Sequence, residues 1–516
     1  MYASLIRPVR SKLLCKTSLR NLCNTITLKE KEKLYFGRFT QQEYDEAAAI
    51  VKQQVENLEK QIKGPNDPRS KVGTMPSIPA APTVSKDKNN TSSKISITSL
   101  ADILVQSIKT TGPISLSAYM RQCLTHPEFG YYTTRDPLDS KSGDFITSPE
   151  ISSVFGEMIG VWLFSTWLQQ GSPKKVRIIE FGPGKGTLMH DVIKCFNRLS
   201  KGAAAMGRGS DKTTISIIMI EASPVLREEQ RKLLCKENPL LPGNKCTTQW
   251  GNTIEWVDTE KDIVEDSNMA NYILAHEFFD ALPIKSFEKG EKNTWRELLV
   301  EHSSSVNNTQ GKLEGTSKVD SKDTSLLETD FHLTLAPKET PSSYIPKNTR
   351  RFHDLPVGTR VEICPDAQLY ISKMADLVKD KTGAVLVMDY GISEGVPDNT
   401  LRGIYKHKFV SPFYSPGDVD LSIDVDFENL KILGEGNGER KVFGPVEQGD
   451  WLHEMGVGYR IDQLLKKNKD SPAEQDKIYD SYLRLTGKDD KGMGKVYKFL
   501  TILPSGTKES PGFMGL

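Results

Sequence analysis

Residues 175–187 read KVRIIEFGPGKGT, and this stretch decides the fold. Its first half is apolar enough for a buried strand, and the glycines that follow lead into a predicted helix over about 187–199. Gly182, Gly184 and Gly186 stand at alternate positions, where missing side chains let the backbone turn tightly and approach a ligand. A strand, a glycine loop and a helix in this order predict a ligand-binding βα unit.

The spacing of these glycines narrows the choice of ligand. A loop for triphosphates needs Gly-Lys followed directly by Ser or Thr, and a dinucleotide loop needs a glycine where this chain has Thr187. Both patterns fail, which disfavours ATP and NAD. The form E-x-G-x-G-x-G, which starts at Glu180, resembles the first motif of class I methyltransferases. That resemblance implies S-adenosylmethionine as the cofactor, bound by Glu180 and the three glycines.

Strands and helices alternate beyond this loop. Further strands are predicted over 215–220, 272–275, 384–389 and 496–503, and helices over 224–235 and near 366–379. Such alternation is typical of parallel βαβ units. We therefore expect an α/β protein with the doubly wound, Rossmann-like sheet of class I methyltransferases, preceded by a helical region and interrupted by insertions.

An acidic residue follows the second predicted strand. Glu221 ends the run ISIIMIE, and an acid at this point of the fold is placed to accept both ribose hydroxyls of an adenosine. A tight turn without a ligand and a solvated strand end are the alternatives for the glycines and for Glu221, taken one at a time. Their occurrence in consecutive βα units favours cofactor binding.

The strand predicted over 272–275 brings a second group of polar residues to the same edge. His276 and Glu277 follow it directly, and Asp280 comes three residues later, so both carboxylates face one way on a helical turn. Carboxylates bind a planar guanidinium bidentately and can orient it without acting as strong bases. We interpret Glu277 and Asp280 as the catalytic pair for a protein arginine; an ion pair or a decorated helix start is the alternative.

Other chemistries fit this loop poorly. A zinc site of the form HExxH would need a second histidine where Asp280 stands, so no metal is predicted. The Asn/Asp-Pro-Pro-Tyr/Phe motif of methyltransferases that modify base amino groups is absent. The seven cysteines form no CxxC pair, and the five that follow residue 28 are expected to be buried thiols in a reducing compartment.

Six stretches together resemble one family, the MidA-type proteins. They occur in the same order between about residues 99 and 503, as GDFITSPEIS, EFGPGKGT, HEFFDALP, LVMDYG, RGIYKHKFVSPFYSPGDVDLSIDVDF and MGKVYKFL. The resemblance implies a mitochondrial protein-arginine methyltransferase that symmetrically dimethylates an arginine on a core matrix-arm subunit of respiratory complex I during its assembly. A non-catalytic assembly factor that keeps the fold is the alternative function, and a dinucleotide oxidoreductase is disfavoured by the loop spacing.

The family pattern also assigns positions. The three glycines match its cofactor loop, Glu221 its ribose acid, and Glu277 with Asp280 its acidic loop. One position departs, because His276 stands where the family usually has Asn. Two further segments could cover the cofactor or the substrate, although a helix cap or a solvated acidic surface is the alternative for each. The candidate residues are Gly143, Asp144, Thr147, Ser148, His276, His407, Asp418, Asp420, Asp424 and Asp426. Ser148 is also expected to cap a long helix.

The N-terminus differs from the rest of the 516-residue chain. Residues 1–28 hold five basic side chains and no acid, which predicts a transit peptide and a mitochondrial matrix protein. The net charge of +1 gives no bulk attraction to nucleic acid, and no run reaches the ~18 apolar residues of a spanning helix. The predicted parts are the transit peptide (1–28), a helix over 40–63 with a disordered linker (29–98), an N-terminal helical region (99–170), the cofactor-binding core (171–302), a flexible insertion (303–347) and the remaining catalytic domain (348–516).

Overall fold

The structure is a computed structural model that describes residues 98–134, 147–206, 213–303, 329–378 and 382–514. The predicted transit peptide, the helix over 40–63 and the linker lie outside these residues. The helices are α1 (Leu100–Thr111), α2 (Leu116–Thr125), α3 (Tyr131–Thr134), α4 (Ser148–Ile151), α5 (Ser153–Gln169), α6 (Thr187–Ala205), α7 (Pro224–Cys235), α8 (Tyr344–Asn348), α9 (Pro365–Asp376), α10 (Phe427–Glu435), α11 (Gln448–Glu454), α12 (Val457–Lys467) and α13 (Pro472–Thr486).

The strands fall into three sheets. They are β1 (Ile114–Ser115), β2 (Lys175–Phe181), β3 (Thr214–Ile220), β4 (Lys245–Thr247), β5 (Thr253–Val257), β6 (Ala270–His276), β7 (Lys285–Lys289), β8 (Trp295–His302), β9 (Phe331–Leu335), β10 (Arg360–Ile363), β11 (Ala384–Ile392), β12 (Arg402–Tyr405), β13 (Lys408–Val410), β14 (Asp420–Ser422), β15 (Val425–Asp426), β16 (Arg440–Glu447) and β17 (Tyr497–Pro504).

The main sheet has the predicted doubly wound arrangement. Its order is β16-β17-β11-β6-β2-β3-β5-β4, and β15 pairs with the end of β11. Strands β2, β3, β5, β6 and β11 are parallel, and β17 runs antiparallel between β11 and β16. Numbered along the chain, the five parallel strands follow the spatial order 3-2-1-4-5, which reverses between β2 and β6. Ligands of such sheets bind at that reversal, outside the carboxyl ends of the strands.

Helices cover both faces of this sheet and bury its apolar strands. One core contains side chains of α5, α6, α7 and α11–α13, including Trp162, Phe196 and Trp451. The core on the other face contains side chains of α9 and α10, including Ile371 and Phe427. Helices α5 and α6 approach closely, because a Cβ at Gly160 would lie 2.7 Å from the Cβ of Cys195. The central strands are therefore buried on both sides, as their continuous apolar runs indicate.

The helix expected to start at Ser148 is divided in two. Ser152 has an extended backbone and interrupts it, and its hydroxyl accepts a hydrogen bond from the N–H of Val154. Ser152 therefore caps the long helix α5, and the prediction that Ser148 caps it is wrong. Ser148 is instead fully buried in the short turn α4, with its hydroxyl 3.5 Å from Gln448 Oε1.

Regular structure extends further than predicted in two places. Helix α6, predicted to end at about residue 199, continues to Ala205. The prediction of a surface insertion over 303–347 is wrong for its second half, because β9 pairs with β8 and buries Phe331 and Leu333. Strand β9 belongs to an antiparallel sheet with β1, β7, β8 and β10. The third sheet, in the order β13-β12-β14, lies in the segment predicted to cover the substrate.

Within the described part of the chain, no helix combines the length and apolar character that crossing a membrane requires.

Candidate active site

A cleft of about 960 Å³ opens at the carboxyl edge of the main sheet, where the strand order reverses. It brings together most of the predicted site residues: Thr147, Glu180, Gly182, Gly184, Glu221, His276, Glu277, Asp280 and His407 all line it. Gly186 and Ser148 are not among the lining residues. Gly143 and Asp144 lie outside the described residues. The glycine loop and the acidic loop thus share one cavity, although about ninety residues separate them along the chain.

The glycine loop needs its glycines for different reasons. Gly182, Gly184 and Gly186 have φ angles of 62°, 51° and 83°, which side chains rarely adopt. A Cβ at Gly182 would lie 3.3 Å from the ring of Phe278, in the acidic loop. A Cβ at Gly186 would instead meet the side chain of Gln230. Gly186 is therefore needed for packing behind the loop, whereas Gly184 faces the cleft.

Glu180 is a buried acid at the end of β2. Its side chain is 2% exposed, and its Oε2 atom has no hydrogen-bond partner among the described residues. Burial raises the pKa of this carboxyl to about 8. A buried acceptor without a partner is costly unless something supplies a donor. Since Glu180 lines the cleft, a cationic ligand group could supply that donor.

Glu221 lies across the loop from Glu180, after β3. Its Oε1 accepts a hydrogen bond from the N–H of Ser223 at 2.8 Å, at the start of α7. The amide of Gln230 approaches its Oε2 at 3.4 Å. Burial raises the pKa of Glu221, against the effect of these hydrogen bonds. The carboxylate is thus held at the cleft wall, in the position predicted for a ribose ligand.

Glu277 starts the acidic loop in a strained conformation. Its φ of 48° is unusual for a residue with a side chain, and such strain concentrates at functional sites. Its N–H donates to the carbonyl of Met388, and its Oε1 accepts from the hydroxyl of Tyr497 at 3.0 Å. Burial, together with the nearby charge of Asp280, raises the pKa of Glu277 to about 8.

Asp280 has more partners than Glu277. Its Oδ2 accepts hydrogen bonds from the hydroxyls of Tyr390 and Ser422, and its Oδ1 has no partner among the described residues. Arg402 adds a positive charge nearby, with its guanidinium 4.9 Å from the centre of the Tyr390 ring. Burial nevertheless raises the pKa of Asp280.

A third carboxylate, Asp389, sets the course of the acidic loop. It is fully buried at the end of β11, and its Oδ2 accepts from the N–H groups of Phe278 and Phe279 at 3.1 and 2.9 Å. Its Oδ1 accepts from the N–H of Tyr390. Both oxygens are used by backbone, so Asp389 positions Glu277 and Asp280 rather than facing the cleft.

Comparison with known proteins identifies the family. A model of a family described as S-adenosyl-L-methionine-dependent methyltransferases matches residues 158–446, more than half of the chain. The mouse protein named "Protein arginine methyltransferase NDUFAF7, mitochondrial" is 35% identical over 418 residues, which cover 79% of this chain and 85% of that protein. The chain belongs to this methyltransferase family. The predicted cofactor, S-adenosylmethionine, and the resemblance to MidA-type proteins are thereby confirmed.

Other relatives of this methyltransferase have the same function in their names or the same fold. The human and Drosophila melanogaster proteins with the same function in their names are each 34% identical, cover 79% of this chain, and are themselves covered to 84% and 85%. All three relatives are named mitochondrial proteins. A superfamily member from Burkholderia thailandensis, solved with S-adenosyl-homocysteine, has a TM-score of 0.58 at 21% identity, covering 81% of this chain and 94% of that one. This likeness confirms the predicted fold class.

The cleft of this methyltransferase suits its cofactor chemically. S-adenosylmethionine carries an ammonium at its amino acid end and two hydroxyls on its ribose. Glu180 offers a buried acceptor without a partner among the described residues, and Glu221 offers a carboxylate held from behind. The loop between them has no side chain at Gly182 or Gly184 to obstruct a ligand.

His276 is buried and uncharged. Its side chain is 8% exposed, and its Nε2 has no hydrogen-bond partner among the described residues. Burial lowers its pKa to about 3. The ring packs edge-on against Phe155, and Nε2 lies 3.5 Å from Glu277 Oε1. The imidazole thus cannot act as a cation near neutral pH.

The segment over 402–427 forms the far wall of the cleft only in part. Among its predicted residues, His407, Asp420 and Asp424 line the cavity, whereas Asp418 and Asp426 do not. His407 has a φ of 62° in the exposed turn between β12 and β13. Asp426 instead forms an ion pair with Arg351. The acids of this segment therefore do not act as one group.

Several cleft residues escaped sequence reasoning. Tyr497 and Arg402 line the cavity, and Gln230 supports it from behind. Asp389, Tyr390 and Gly391 are predicted by the sequence to end a strand at the functional edge, with a simple turn as the alternative; Tyr390 and Gly391 line the cleft, and Asp389 supports it from behind. Tyr497 lies 220 positions from Glu277, and Gln230 lies 46 positions from Gly184, so only the folded sheet brings these pairs together. Strand β17 runs antiparallel to β11, so it begins at the edge where β11 ends, with Tyr497 paired with Tyr390.

Proposed function

We propose that this methyltransferase transfers a methyl group from S-adenosylmethionine to the guanidinium of a protein arginine. The observation that carries the proposal is an excess of buried acid at the acceptor end of the cleft. Glu277 and Asp280 line it, and the basic side chain next to them, Arg402, is already paired with the partly exposed Asp424 at 2.7 Å. Buried carboxylates are costly without a cation, and an arginine side chain would supply one.

The raised pKa values support a cationic acceptor. Glu277 and Asp280 are both harder to ionise than ordinary acids because they are buried together. A guanidinium keeps its charge at all ordinary pH values and presents a planar fork of donors that matches carboxylate oxygens. Its entry would favour the ionised form of both acids. The Oδ1 of Asp280, which no described residue contacts by a hydrogen bond, is then available to accept one of its N–H groups.

The two acids would have different roles in the reaction. The cofactor supplies a methyl group that is electrophilic because it is bound to a sulfonium. Asp280, held by Tyr390 and Ser422, would fix the orientation of the guanidinium. Glu277 would draw positive charge away from the attacking nitrogen. As the N–C bond forms and the C–S bond breaks, that nitrogen loses one proton, which Glu277 can accept because the bound guanidinium has favoured its ionised form.

The remaining roles follow the same logic. Glu180 would accept from the cofactor's ammonium and Glu221 from its ribose hydroxyls, with Gly182 and Gly184 allowing close approach. His276, neutral and 3.5 Å from Glu277, would help to keep that carboxyl in place. Lysine is a poorer acceptor here, because its ammonium must lose a proton before it attacks and a carboxylate pair stabilises that ammonium.

We further propose that the protein acts in the mitochondrial matrix, forms symmetric dimethylarginine, and modifies a core matrix-arm subunit of complex I. The support is the MidA-type resemblance, the basic segment over 1–28, and relatives named as mitochondrial arginine methyltransferases.

Mass spectrometry of mitochondrial proteins tests the proposal. Cells with the gene, without it, and with Glu277→Gln in its place should be compared for methylated arginine. We expect a dimethylarginine that is present only with the intact gene. If complex I assembles normally with Glu277→Gln, the protein works as a non-catalytic assembly factor. A lost methyl-lysine would contradict the choice of acceptor but not the methyltransferase family.

A further inference from the structure

Behind the cleft lies Gln230, a fully buried residue of α7 that is not among the lining residues. Its Nε2 donates a hydrogen bond to the carbonyl oxygen of Gly184 at 2.6 Å and approaches Glu221 Oε2 at 3.4 Å. One side-chain amide therefore contacts both the glycine loop after β2 and the acid after β3. These are the two segments to which the cofactor's amino acid end and ribose have been assigned.

The orientation of this amide is determined by Trp256 in β5. The indole Nε1 donates to Gln230 Oε1 at 2.8 Å. An indole nitrogen can only donate, so the oxygen of the amide must face Trp256 and its two N–H groups must face the cleft wall. Gln230, which does not line the cleft, is thus held in one orientation by three partners. They are Gly184 after β2, Glu221 after β3 and Trp256 in β5.

The backbone of the glycine loop is packed directly onto Gln230. A Cβ at Gly186 would lie 3.2 Å from Gln230 Cγ, so the loop can come this close only without a side chain there. The carbonyl of Gly184 points at Gln230, and in a trans peptide the following N–H points the opposite way. The hydrogen bond therefore fixes the plane of the Gly184–Lys185 peptide in the part of the loop that lines the cleft.

We infer that Gln230 is a positioning residue for the cofactor, which keeps the glycine loop and Glu221 at the separation that S-adenosylmethionine requires. The inference rests on the cofactor of the family and not on the proposed arginine acceptor. Without the amide, the Gly184 carbonyl would lose its donor, and the Glu221 carboxylate would be held only by backbone N–H groups next to it in sequence and by the charge of Arg227. Both segments could then move before the cofactor binds, so ordering them would reduce affinity.

Two substitutions separate this role from packing. Gln230→Leu removes all three hydrogen bonds and keeps an apolar side chain of similar size. Gln230→Glu keeps the shape and an acceptor for Trp256, but when ionised it cannot donate and places a like charge beside Glu221. With the purified full chain, calorimetry should show Kd values for S-adenosylmethionine and S-adenosylhomocysteine raised about tenfold or more by either substitution, as expected for a lost hydrogen bond to a charged group.

Gln170 provides a matched control. Its side chain also makes three hydrogen bonds, with Gly383 O and N at 2.9 Å each and with the Tyr272 hydroxyl at 2.8 Å. These three hydrogen bonds lie at the edge of the main sheet where β6 and β11 begin, opposite the cleft. Gln170→Leu should lower the Tm about as much as Gln230→Leu does while leaving the Kd for both ligands unchanged.

The inference is overturned if both Gln230 variants bind the ligands with the wild-type Kd, or if Gln170→Leu weakens binding equally. Should Gln230→Leu fail to fold, the nearly isosteric Gln230→Glu decides, with its Tm measured alongside. These measurements need no acceptor. A failure of the arginine proposal would therefore leave cofactor binding intact and remain distinguishable from a failure of this one.

Discussion

Glu277 and Asp280 are both acidic residues of one loop, but their side chains have different surroundings. Asp280 receives two hydroxyl donors and lies near a fixed guanidinium, whereas Glu277 receives one hydroxyl and has a strained backbone. An anion with several fixed donors suits the orientation of a substrate, and a carboxyl with a pKa near 8 suits the uptake of a proton. The separate roles proposed for the two acids could not be inferred from the spacing of the two residues.

We predict that Glu277→Gln and Asp280→Asn each slow methyl transfer on the order of a hundredfold or more, because each removes one preorganised charge beside the guanidinium. The Kd for S-adenosylmethionine should stay close to that of the wild type. Single-turnover kinetics and calorimetry measure the two quantities. Glu288→Gln is the control, since Glu288 pairs with Arg360 in another sheet. Normal methylation by both variants would show that the acids are structural, and loss of cofactor binding would place them in the donor site.

The pKa of Glu277 also predicts how stability depends on pH. Its value of about 8 in the folded protein lies above its ordinary value of 4.5, so the folded state binds more protons between these limits. The free energy of unfolding contributed by this group is therefore full below about pH 4.5 and falls as the pH rises through 8. Chemical denaturation between pH 5 and 9 should show a smaller decline for Glu277→Gln than for the wild type. Equal slopes would contradict the raised pKa.

At the scale of elements, the sequence predicted those helices and strands whose bounds depend on residues that are close together in the chain. Strand β2 and helix α7 have the predicted bounds, because their apolar patterns and the proline at the start of α7 are local signals. The antiparallel sheet of β1 and β7–β10 was not predicted, since its pairs join segments far apart, such as Ile114 with Val300. The sequence did not identify Ser152 as the cap of α5, because Ser148 followed by Pro149 is an equally favourable helix start when only the sequence is considered.

The glycine loop gives a prediction at this scale. Gly184→Val should abolish detectable binding of S-adenosylmethionine, because a branched side chain would stand where the backbone approaches the ligand. Gly251→Val is the matched control, since Gly251 also has a positive φ, 90°, but a Cβ there would have no heavy atom within 4 Å, and the residue lies away from the cleft. Both should lower the Tm through backbone strain, and only Gly184→Val should change calorimetric binding. Binding by a folded Gly184→Val protein would contradict the assignment of the loop.

Strand β9 leads to a prediction about deletions. Residues Ser303 and Asp330 are joined by a backbone hydrogen bond of 3.0 Å, so a short Gly-Ser connection can replace residues 304–328. That variant should melt cooperatively with a Tm close to that of the whole chain. Deletion of 303–347 should give an insoluble or much less stable protein, because it removes β9 and uncovers the core around Leu298 and Val300. Equal stability of the two deletions would show that β9 contributes little.

At the scale of the whole molecule, one cofactor cleft is assembled from segments spread over most of the described chain. Thr147 enters it before the main sheet begins, and Tyr497 enters it from the last strand. Tyr390, Arg402 and Tyr497 reach the cleft from β11 onwards, after strands β7–β10 have been inserted between β6 and β11. Family membership could be recognised from short motifs because they lie at this cleft. The packing that holds them together is distributed, and so it leaves no motif.

The N-terminal part of the chain gives the final prediction. Ser99 and Asp102 form a capping box at the start of α1, and the N–H and hydroxyl of Thr98 also donate to the Asp102 carboxylate. Since this cap completes the first helix of the described fold, a chain beginning at residue 97 should fold without what precedes it. Its Tm should lie within a few degrees of that of the full chain.

S-adenosylmethionine at about 100 times its Kd should stabilise both the shortened and the full chain by about 2.7 kcal/mol, because only the folded protein binds it. Scanning calorimetry with and without the cofactor measures both effects, and Ser99→Ala in the shortened chain should cost about 1 kcal/mol by removing the cap. A shortened chain that is insoluble, or whose Tm ignores the cofactor, would show that the first 96 residues are part of the folding unit.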